Sequence, residues 1–508
     1  MDCGKRESKR PFIRWSIAIW CIYLSLVRAE PVASQAEQEL RKTFLQSFAR
    51  AYFPGRSGQI MVVPRKGEMI TRPEPVYQFM HGSPWDYDVQ IPLLLYGPPY
   101  VRTGVYNDAA NHQDIAPTLA ALLRLRLPPT VTGRALLRPL NLSPGRPRVI
   151  FLAVLDGMRR DYFDRYASDL PTLTRLRKQG AWFSRAQVNY LPSTTALAHA
   201  TIGSGADPQV HGIVLNAPFN RVAGRQEDPF PEMSPQNLMA LTLADAWNLA
   251  NDGHAVIIAQ GSVFYAAAGL GGHGACILNG RPIILASYDT RSGDWQTNPL
   301  CYKLPEYLKD QNSRTIWEAA NGTWLSHPIS NPDAVRRSAL FARFEADALV
   351  ELIEKEPLGA DEITDLVLVN LKTPDFVGHQ YGPDSPEIQE TLAELDRQLA
   401  RVLKTLETKV GSGQYVVLLI GDHGMPPEPV QGQKRSFAND ISELVHTKFD
   451  PGRKLVTHYD AANSQIFVDK IRLQELKLRL SDIKAYLESL PFIFAAYTED
   501  EVQTTALP

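Results

Sequence analysis

Three strongly apolar runs, each followed closely by an aspartate, constrain the fold of this chain more than any other feature. The runs are 149–155 (VIFLAVL), 366–371 (LVLVNL) and 415–420 (YVVLLI). Continuous apolar runs of this length are typical of strands that are buried on both faces of a parallel sheet. Helical patterns at 171–179 and 387–406 lie between them. The sequence therefore predicts a layered α/β fold with a mostly parallel sheet.

The aspartates that follow these runs, Asp156, Asp375 and Asp422, should meet at the carboxyl edge of that sheet, where ligands gather. Three carboxylates in one place repel each other unless a cation neutralises them. His379 lies four residues after Asp375, and His423 directly follows Asp422. Carboxylate oxygen and imidazole nitrogen suit zinc and similar divalent ions. These ligands are too many for one tetrahedral ion and indicate two ions, although a single strand-end Asp is usually a helix cap or a turn residue.

Hydroxyl side chains stand just before a helical pattern in the segment 189–213. Ser193, Thr194 and Thr195 precede the run ALAHATIGSG. A hydroxyl at a helix N-terminus lies where backbone N–H groups favour an anion, and a divalent ion would help it to lose its proton and attack. These residues are therefore candidate nucleophiles. The alternative is an ordinary N-cap, which is the usual role of Ser and Thr at this place.

Composition excludes several classes of function. The chain has 508 residues and a net charge of −2, so no positive field or nucleic-acid-binding surface is evident. Four cysteines are too few for a disulfide framework or a Cys-rich zinc module. If the first two, Cys3 and Cys21, are removed with a leader, Cys276 and Cys301 remain, either bridged or as two free thiols.

The N-terminus has the pattern of an export signal. A basic segment precedes the 13 uncharged, mostly apolar residues of 15–27, which is short for a membrane span of about 20 residues. We predict a signal peptide at 1–29, export to the periplasm or the medium, and no membrane insertion after cleavage. An uncleaved membrane anchor is the alternative.

Four segments of the sequence resemble the signatures of the alkaline phosphatase superfamily, and most closely its type I phosphodiesterase/nucleotide pyrophosphatase branch with the bacterial alkaline-phosphatase relatives. The segments are LDGMR, LPSTTALAHATIGSGADPQVHGIVLN, TPDFVGHQYGP and GDHGM. The resemblance runs from about residue 149 onward. It implies a three-layer α/β/α sandwich with a mostly parallel central sheet, an inserted cap region at about 217–343, and two divalent metal ions, zinc in this family.

The resemblance also implies roles for individual residues. Thr195 matches the nucleophile that forms a phospho-threonine intermediate, and Asn216 matches the residue that helps to bind a phosphate oxygen. The implied ligands are Asp156, Thr195, Asp422 and His423 for one ion, and His81, Asp375 and His379 for the other. His199 and His211 also fall in the motif and are expected to be structural.

The segments of the family stand in a rotated order in this chain. MHGSPWDYDVQIPLLLYG, which contains His81, resembles a segment that normally lies near the end of the bacterial phosphatases. AAYTEDE at 495–501 resembles the segment that normally comes just before this part. We therefore predict a circular permutation, with a permuted segment at 30–137, a Pro-rich seam at 138–148 and the main part of the catalytic domain at 149–508. A rearranged gene product is the alternative, and His458 is then the fallback ligand.

The resemblance implies that a phosphate ester or nucleotide is the small-molecule substrate, and it leaves the oligomeric state open. Monoesterases of the bacterial branch place a Lys and an Arg over the phosphate, whereas Val263 and Tyr265 stand at the matching positions here. Diesters are therefore favoured, with monoesters as the alternative and Tyr265 or His273 as replacement donors. Thr195 argues against a sulfatase, which needs Cys or Ser. The alternative to an enzyme is a non-catalytic, exported module that binds metal.

Overall fold

The structure is a computed structural model that describes Met1 and residues 34–461 and 464–507. The predicted signal peptide at 1–29 lies, apart from Met1, outside the described residues. Contacts divide the chain into two units, Met1–Leu40 and Arg41–Pro508. Within the described part, no helix has both the length and the apolar character needed to cross a membrane.

Strands and helices are numbered here in chain order. The strands are β1 (Ile60–Pro64), β2 (Met69–Thr71), β3 (Leu93–Tyr96), β4 (Gly104–Ala110), β5 (Val149–Leu155), β6 (Ala181–Ala186), β7 (Phe219–Asn220), β8 (Arg225–Gln226), β9 (Ile257–Gly261), β10 (Ile283–Tyr288), β11 (Trp295–Gln296), β12 (Tyr302–Lys303), β13 (Thr323–Trp324), β14 (His327–Pro328), β15 (Asp365–Leu371), β16 (Tyr415–Gly421), β17 (Arg435–Phe437), β18 (Val456–Asp460), β19 (Gln465–Val468) and β20 (Ile493–Thr498). The helices are α1 (Gln35–Ala51), α2 (Asp86–Val89), α3 (Ile115–Leu123), α4 (Tyr162–Arg165), α5 (Pro171–Gln179), α6 (Thr195–Ser204), α7 (Pro208–His211), α8 (Leu243–Ala250), α9 (Phe264–Gly271), α10 (Glu306–Lys309), α11 (Arg314–Ala319), α12 (Pro332–Val335), α13 (Leu340–Lys355), α14 (Thr373–Tyr381), α15 (Pro386–Val410), α16 (Ala438–Phe449), α17 (Lys470–Glu475), α18 (Leu480–Glu488) and α19 (Glu499–Thr504).

The three apolar runs form neighbouring parallel strands at the centre of the large sheet. Its strand order is β11-β10-β9-β15-β5-β16-β3-β6-β4, and β12 also pairs with β10. Leu155, the last residue of β5, is in register with Leu371 of β15 and with Gly421 of β16. The residues that follow these three strands therefore emerge at the same level. The predicted mostly parallel sheet is confirmed, although β3 runs antiparallel to both of its neighbours and β11 runs antiparallel to β10.

Helices cover both faces of this sheet. Along β5, Ile150 and Leu152 join an apolar cluster with α6 and α9 on one face. Phe151 and Ala153 join a second cluster with α13 and α15 on the other face. Because side chains alternate along a strand, a continuously apolar run is what two covered faces require. The expected three-layer α/β/α sandwich is confirmed.

Two glycines let α6 and α9 approach each other closely on the first of these faces. A Cβ at Gly203 would lie 2.1 Å from the carbonyl oxygen of Gly269. A Cβ at Gly269 would lie 2.9 Å from the backbone nitrogen of Ala200. Both distances are too short for a side chain, so glycine is required at each position. This contact fixes the helix that begins at Thr195 against the body of the sandwich.

A smaller sheet joins segments from opposite parts of the chain. Its strand order is β18-β19-β1-β20. Ile60 of β1 pairs antiparallel with Thr498 of β20 on one side and with Ile466 of β19 on the other. The early part of the chain also supplies β3 and β4 to the large sheet. Residues before the seam at 138–148 are thus built into both sheets.

The predicted boundaries of the cap, 217–343, are too wide. Within them, β9 and β10 belong to the large sheet, where Ile258 of β9 pairs with Val367 of β15. These strands are apolar and buried, so they join the core rather than a separate layer. The same stretch also contains the short hairpins β7–β8 and β13–β14. Cys276 and Cys301 form a disulfide, which decides between the two alternatives left by the sequence.

Candidate active site

The ends of β5 and β16 bring two aspartates together at the carboxyl edge of the sheet. Asp156 directly follows β5, and its backbone N–H donates to the carbonyl oxygen of Leu371 at 3.0 Å. The N–H of Gly157 donates to Asp422 Oδ1 at 3.0 Å. Gly157 has φ +68°, and a Cβ there would lie 2.8 Å from the Cα of Asp375. Glycine at this turn therefore lets the first turn of α14 reach the strand ends.

Two histidines turn their Nε2 atoms towards the carboxylate of Asp375. His379 lies one helical turn after Asp375, and its Nε2 is 3.3 Å from Asp375 Oδ1. His81 Nε2 is 3.5 Å from the same oxygen. His379 Nδ1 donates to the carbonyl oxygen of Phe79 at 2.6 Å, and His81 Nδ1 donates to that of Ser193 at 2.9 Å. A histidine whose Nδ1–H is held by the backbone presents Nε2 as a metal ligand.

A second group of ligand atoms surrounds His423. Its Nε2 lies 3.2 Å from Asp422 Oδ2 and 3.5 Å from Asp156 Oδ1. Its Nδ1 donates to the carbonyl oxygen of Gly424 at 2.9 Å, so Nε2 is again the free nitrogen. The His423 ring stacks on the ring of His81 with centroids 3.5 Å apart. The two predicted ligand sets are therefore direct neighbours.

Thr195 is the first residue of α6 and points its hydroxyl into this group. Its Oγ1 lies 3.4 Å from His423 Nε2. Thr194 occupies the N-cap position, but its side chain makes no capping hydrogen bond. Instead the N–H of Ala196 donates to Asn216 Oδ1 at 2.8 Å. Asn216 thus accepts one N–H of the first turn, whereas the Thr195 hydroxyl contacts His423 instead of capping the helix.

The site fits divalent cations. Asp375 Oδ1 and Asp422 Oδ2 are fully buried, yet neither accepts a hydrogen bond from the residues that the structure describes. Ligand atoms of His81, Asp375 and His423 all lie within 4.8 Å of one another, and so do those of Asp156, His199 and Asp422 in a second group. A buried carboxylate oxygen without a donor is costly unless a cation binds it. Two divalent ions side by side would satisfy both oxygens.

The other two histidines of the motif have both ring nitrogens engaged. His199 donates from Nδ1 to the carbonyl oxygen of Thr195 at 2.8 Å and accepts at Nε2 from Asn370 Nδ2 at 2.9 Å. His211 contacts Thr201 Oγ1 at 3.0 Å and accepts the N–H of Ile213. Burial lowers the pKa of each imidazole to about 3. Both histidines therefore have partners other than an ion.

Two further histidines that the sequence proposed as alternatives have other contacts. His458 stacks on Phe219 with centroids 4.9 Å apart and belongs to neither ligand group. His273 contacts Asp245 Oδ2 through Nδ1 at 2.8 Å and the carbonyl oxygen of Leu238 through Nε2 at 2.9 Å. With both nitrogens held, the His273 ring has no donor left for a substrate.

Sequence reasoning missed Lys372, which lies at the centre of the site. Its Nζ is 3.0 Å from Asp156 Oδ1, 2.7 Å from Asp375 Oδ2 and 3.1 Å from Thr195 Oγ1. The residue is only 3 % exposed. Asn370, also missed, donates to Asp156 Oδ2 at 2.7 Å. The available signal was a polar Asn inside the apolar run LVLVNL and a Lys directly after it.

The pKa values of the three carboxylates are shifted in different directions. Burial raises the pKa of Asp156 to about 6 and that of Asp422 well above its usual value, against the pull of Lys372. Burial alone would raise the pKa of Asp375 too, but His379 and Lys372 hold it well below its usual range. Burial opposes the charge on Lys372, yet Asp156 and Asp375 outweigh burial and raise its pKa. One ammonium therefore faces three carboxylates, and further positive charge is needed to ionise all of them.

A family model for type I phosphodiesterase/nucleotide pyrophosphatase matches residues 150–505. The chain belongs to this family. Members of the type I phosphodiesterase/nucleotide pyrophosphatase family are phosphoric ester hydrolases, and so is this protein. The match places the protein in the alkaline phosphatase superfamily, as its motifs predict, and it includes Asp156, Thr195, Asp375, Asp422 and His423.

Known relatives of this family member include phosphatases and phosphodiesterases. The chain is 26% identical over 428 residues to alkaline phosphatase PafA of Elizabethkingia meningoseptica, which covers 72% of this chain and 77% of PafA. It is 25% identical over 393 residues to alkaline phosphatase PhoV of Synechococcus elongatus, covering 67% and 71%. Venom phosphodiesterase 2 of Crotalus adamanteus is 22% identical over 276 residues, covering 54% of this chain and 26% of the venom protein. The solved structure of wild-type PafA matches with a TM-score of 0.61 at 23% identity, over 72% of this chain and 81% of PafA, which shows the shared fold.

Replacing His81 tests whether it binds an ion. We expect His81→Ala to weaken the binding of one of two divalent ions, tested here with zinc, by at least about tenfold, because even groups that only orient metal ligands contribute 10–100-fold in affinity. Metal content after dialysis against limiting zinc, measured by mass spectrometry, gives the result.

His458→Ala is the matched control for this variant, since His458 is the fallback ligand and stacks on Phe219 instead. It should retain the zinc content of the natural chain. Equal zinc loss in the two variants, or loss only in His458→Ala, contradicts the assignment of His81.

Proposed function

We propose that the protein is an exported hydrolase of phosphate esters that acts through a phospho-threonine intermediate at Thr195 with two divalent ions, zinc by preference. The observation that carries this proposal is the position of Thr195 Oγ1, 3.4 Å from His423 Nε2 and 3.1 Å from Lys372 Nζ. This hydroxyl stands at a helix N-terminus, where an anion is favoured.

Two sets of residues would hold the ions. The sets are Asp156, Asp422 and His423 with Thr195 for one ion, and His81, Asp375 and His379 for the other. Carboxylate oxygen and imidazole nitrogen in these numbers favour zinc. When bound, two adjacent divalent ions stabilise the attacking and the leaving oxygens of an in-line displacement.

The residues of the chain perform the remaining steps. Thr195 Oγ1 loses its proton and attacks phosphorus, the bond from phosphorus to the leaving oxygen breaks, and the released alcohol takes up a proton. Water then attacks this phosphorus, the bond to Thr195 Oγ1 breaks, and that oxygen regains a proton from the water. Phosphate leaves if the substrate is a monoester, and a phosphate monoester leaves if it is a diester. The Asn216 carbonyl oxygen accepts from Ala196, so its amide N–H groups remain to donate to a non-bridging oxygen. The backbone N–H of Thr195 is a second such donor at the start of α6.

The substrate class depends on the positive charge near phosphorus. Diesters are the expectation from the sequence, because Val263 and Tyr265 stand where related monoesterases have Lys and Arg. That argument assumes that no other cation takes their place. Lys372 is such a cation, since its Nζ contacts the Thr195 hydroxyl. This observation favours monoesters, the alternative substrate class.

Substitution of Thr195 tests the proposed nucleophile. We expect Thr195→Ala to lower kcat by at least about 10³-fold and Asn216→Ala by about 10²-fold, because one removes the attacking atom and the other a donor to the phosphoryl oxygens. Turnover of p-nitrophenyl phosphate and bis-p-nitrophenyl phosphate by the zinc-loaded protein measures both.

Thr194→Ala is the matched control, because the neighbouring Thr194 Oγ1 is buried and makes no hydrogen bond in the described structure. It should retain most activity. Full activity of Thr195→Ala removes the assignment of the nucleophile. A natural chain that binds zinc and cleaves neither ester is a non-catalytic binding module.

We also propose that the domain is circularly permuted, with the segment 30–137 taking the place that follows residue 501 in relatives. The pairing of Ile60 with Thr498 supports this order. So does the bond from Gln46 Nε2 to the carbonyl oxygen of Ala506 at 3.4 Å, since it brings α1 beside the residues after α19. The family model, which matches 150–505, leaves the earlier segment out.

A re-cut chain tests the permutation. A gene that encodes residues 149–507 followed by a short linker and residues 41–137 should give a folded protein with ester hydrolysis within about tenfold of the natural chain, because the new joint is short and lies at the surface. Circular dichroism and p-nitrophenyl ester turnover measure fold and activity. A chain opened instead inside β16, at residue 418, is the control that should not fold. If the two re-cut chains fail alike, the permutation is wrong.

Export is supported by the pattern of residues 1–29 and by the Cys276–Cys301 disulfide, since disulfides persist in oxidising compartments. We expect the intact mass of protein recovered from the periplasm or medium of an expressing bacterium to match a chain that begins after Ala29. Protein that stays in the cytoplasm, or that remains in the membrane with Met1 attached, contradicts export.

A further inference from the structure

We propose that Lys372 contacts the non-bridging oxygens of the transferred phosphoryl group and thereby makes the enzyme prefer monoesters to diesters. This inference rests on the proposed phosphoryl transfer at Thr195. It adds to that proposal the residue that selects the substrate class.

Lys372 is aimed at the place where phosphorus must arrive. Its Nζ lies 3.1 Å from Thr195 Oγ1, the proposed attacking atom. A phosphorus atom bonded to Oγ1 brings its own oxygens into the space around this ammonium. The side chain is buried, so water does not separate the charge from the reacting group.

The position of Lys372 is fixed from both ends. Its backbone N–H donates to Glu345 Oε1 at 3.1 Å, and the next residue, Thr373, donates its hydroxyl to Glu345 Oε2 at 2.7 Å. At the other end, Asp156 and Asp375 hold the ammonium at 3.0 and 2.7 Å. A donor held in place before substrate binds loses little entropy when it contacts the transition state.

The described residues offer no other cation in this role. Among them, Lys372 is the only Lys or Arg that forms an ion pair with Asp156, Asp375 or Asp422. Val263 is apolar and packs with the core. Tyr265 is close enough to Lys372 for the two to interact electrostatically, but its phenol carries no positive charge. The ammonium therefore comes from the start of α14 rather than from the loop after β9.

A buried ammonium discriminates between the two ester classes. A monoester brings two negative charges on its non-bridging oxygens, and a diester brings one. Charge-assisted hydrogen bonds to buried groups are stronger than neutral ones, and the gain grows with the charge of the acceptor. Lys372 should thus favour the monoester in both ground state and transition state. The competing role is that of a counter-ion, which only holds Asp156 and Asp375 together.

The experiment compares Lys372→Met and Lys372→Arg with the natural chain, all loaded with zinc. We expect Lys372→Met to lower kcat/KM for p-nitrophenyl phosphate by about 10²-fold and for bis-p-nitrophenyl phosphate by less than about threefold. Calorimetric affinity for inorganic phosphate should fall by at least about tenfold, while the zinc content stays at two equivalents. Lys372→Arg should recover part of the monoester activity.

Lys484→Met is the matched control, because Lys484 also pairs with a carboxylate, Glu501, on α19, an element that supplies none of the site residues. It should leave all three readouts unchanged. Two results for Lys372→Met overturn the proposal and favour the counter-ion role. One is an equal loss of kcat/KM for both esters. The other is a reduced zinc content, with unchanged phosphate affinity in those molecules that still hold both ions. If the natural chain cleaves neither ester, the proposed function fails. If it cleaves both and Lys372→Met keeps their ratio, only the role of Lys372 fails.

Discussion

The arrangement of this site depends on the repulsion between three carboxylates that the sheet forces together. Asp156, Asp375 and Asp422 lie at ends of parallel strands or just beyond them, and all three are buried. No polar solvent is available there to spread their charge, so cations must do so. Lys372 supplies one positive charge from the chain itself. The oxygens that it does not reach, Asp375 Oδ1 and Asp422 Oδ2, are those that face the histidines.

The register of the central strands determines where the three carboxylates lie. β15, β5 and β16 pair in parallel without a shift, so their last residues stand side by side. The loop after each strand is therefore short of alternatives: it must place its carboxylate close to the other two. Gly157 allows the closest approach, because any Cβ there would meet Asp375. The helix that carries Thr195 is held by the contact of Gly203 with Gly269, so backbone packing fixes the place of Thr195 in the site.

Much of this arrangement could be predicted from the sequence, because it depends on local patterns. Apolar runs predicted the central strands, and the spacing of Asp375 to His379 predicted two side chains that meet on one helix. The extent of the cap was wrong, since β9 and β10 are short and apolar and lie within a segment rich in Gly, Asn and Pro. Lys372 was missed for a different reason. A lysine is usually exposed, and only the three-dimensional packing shows that two buried carboxylates stabilise its charge.

The placement of β3 between β16 and β6 has a consequence for how the molecule folds. Contacts across this part of the sheet join residues very distant in the chain, and His379 and Phe79, which meet at the site, are 300 residues apart. Closing loops of this size costs conformational entropy and makes folding slow. During synthesis, β3 is made long before its partner β16, so its apolar side chains remain exposed until β16 has been synthesised. His81 belongs to the same early segment, so the group of side chains around Asp375 is completed late in folding, and any ion that binds there stabilises a nearly finished fold.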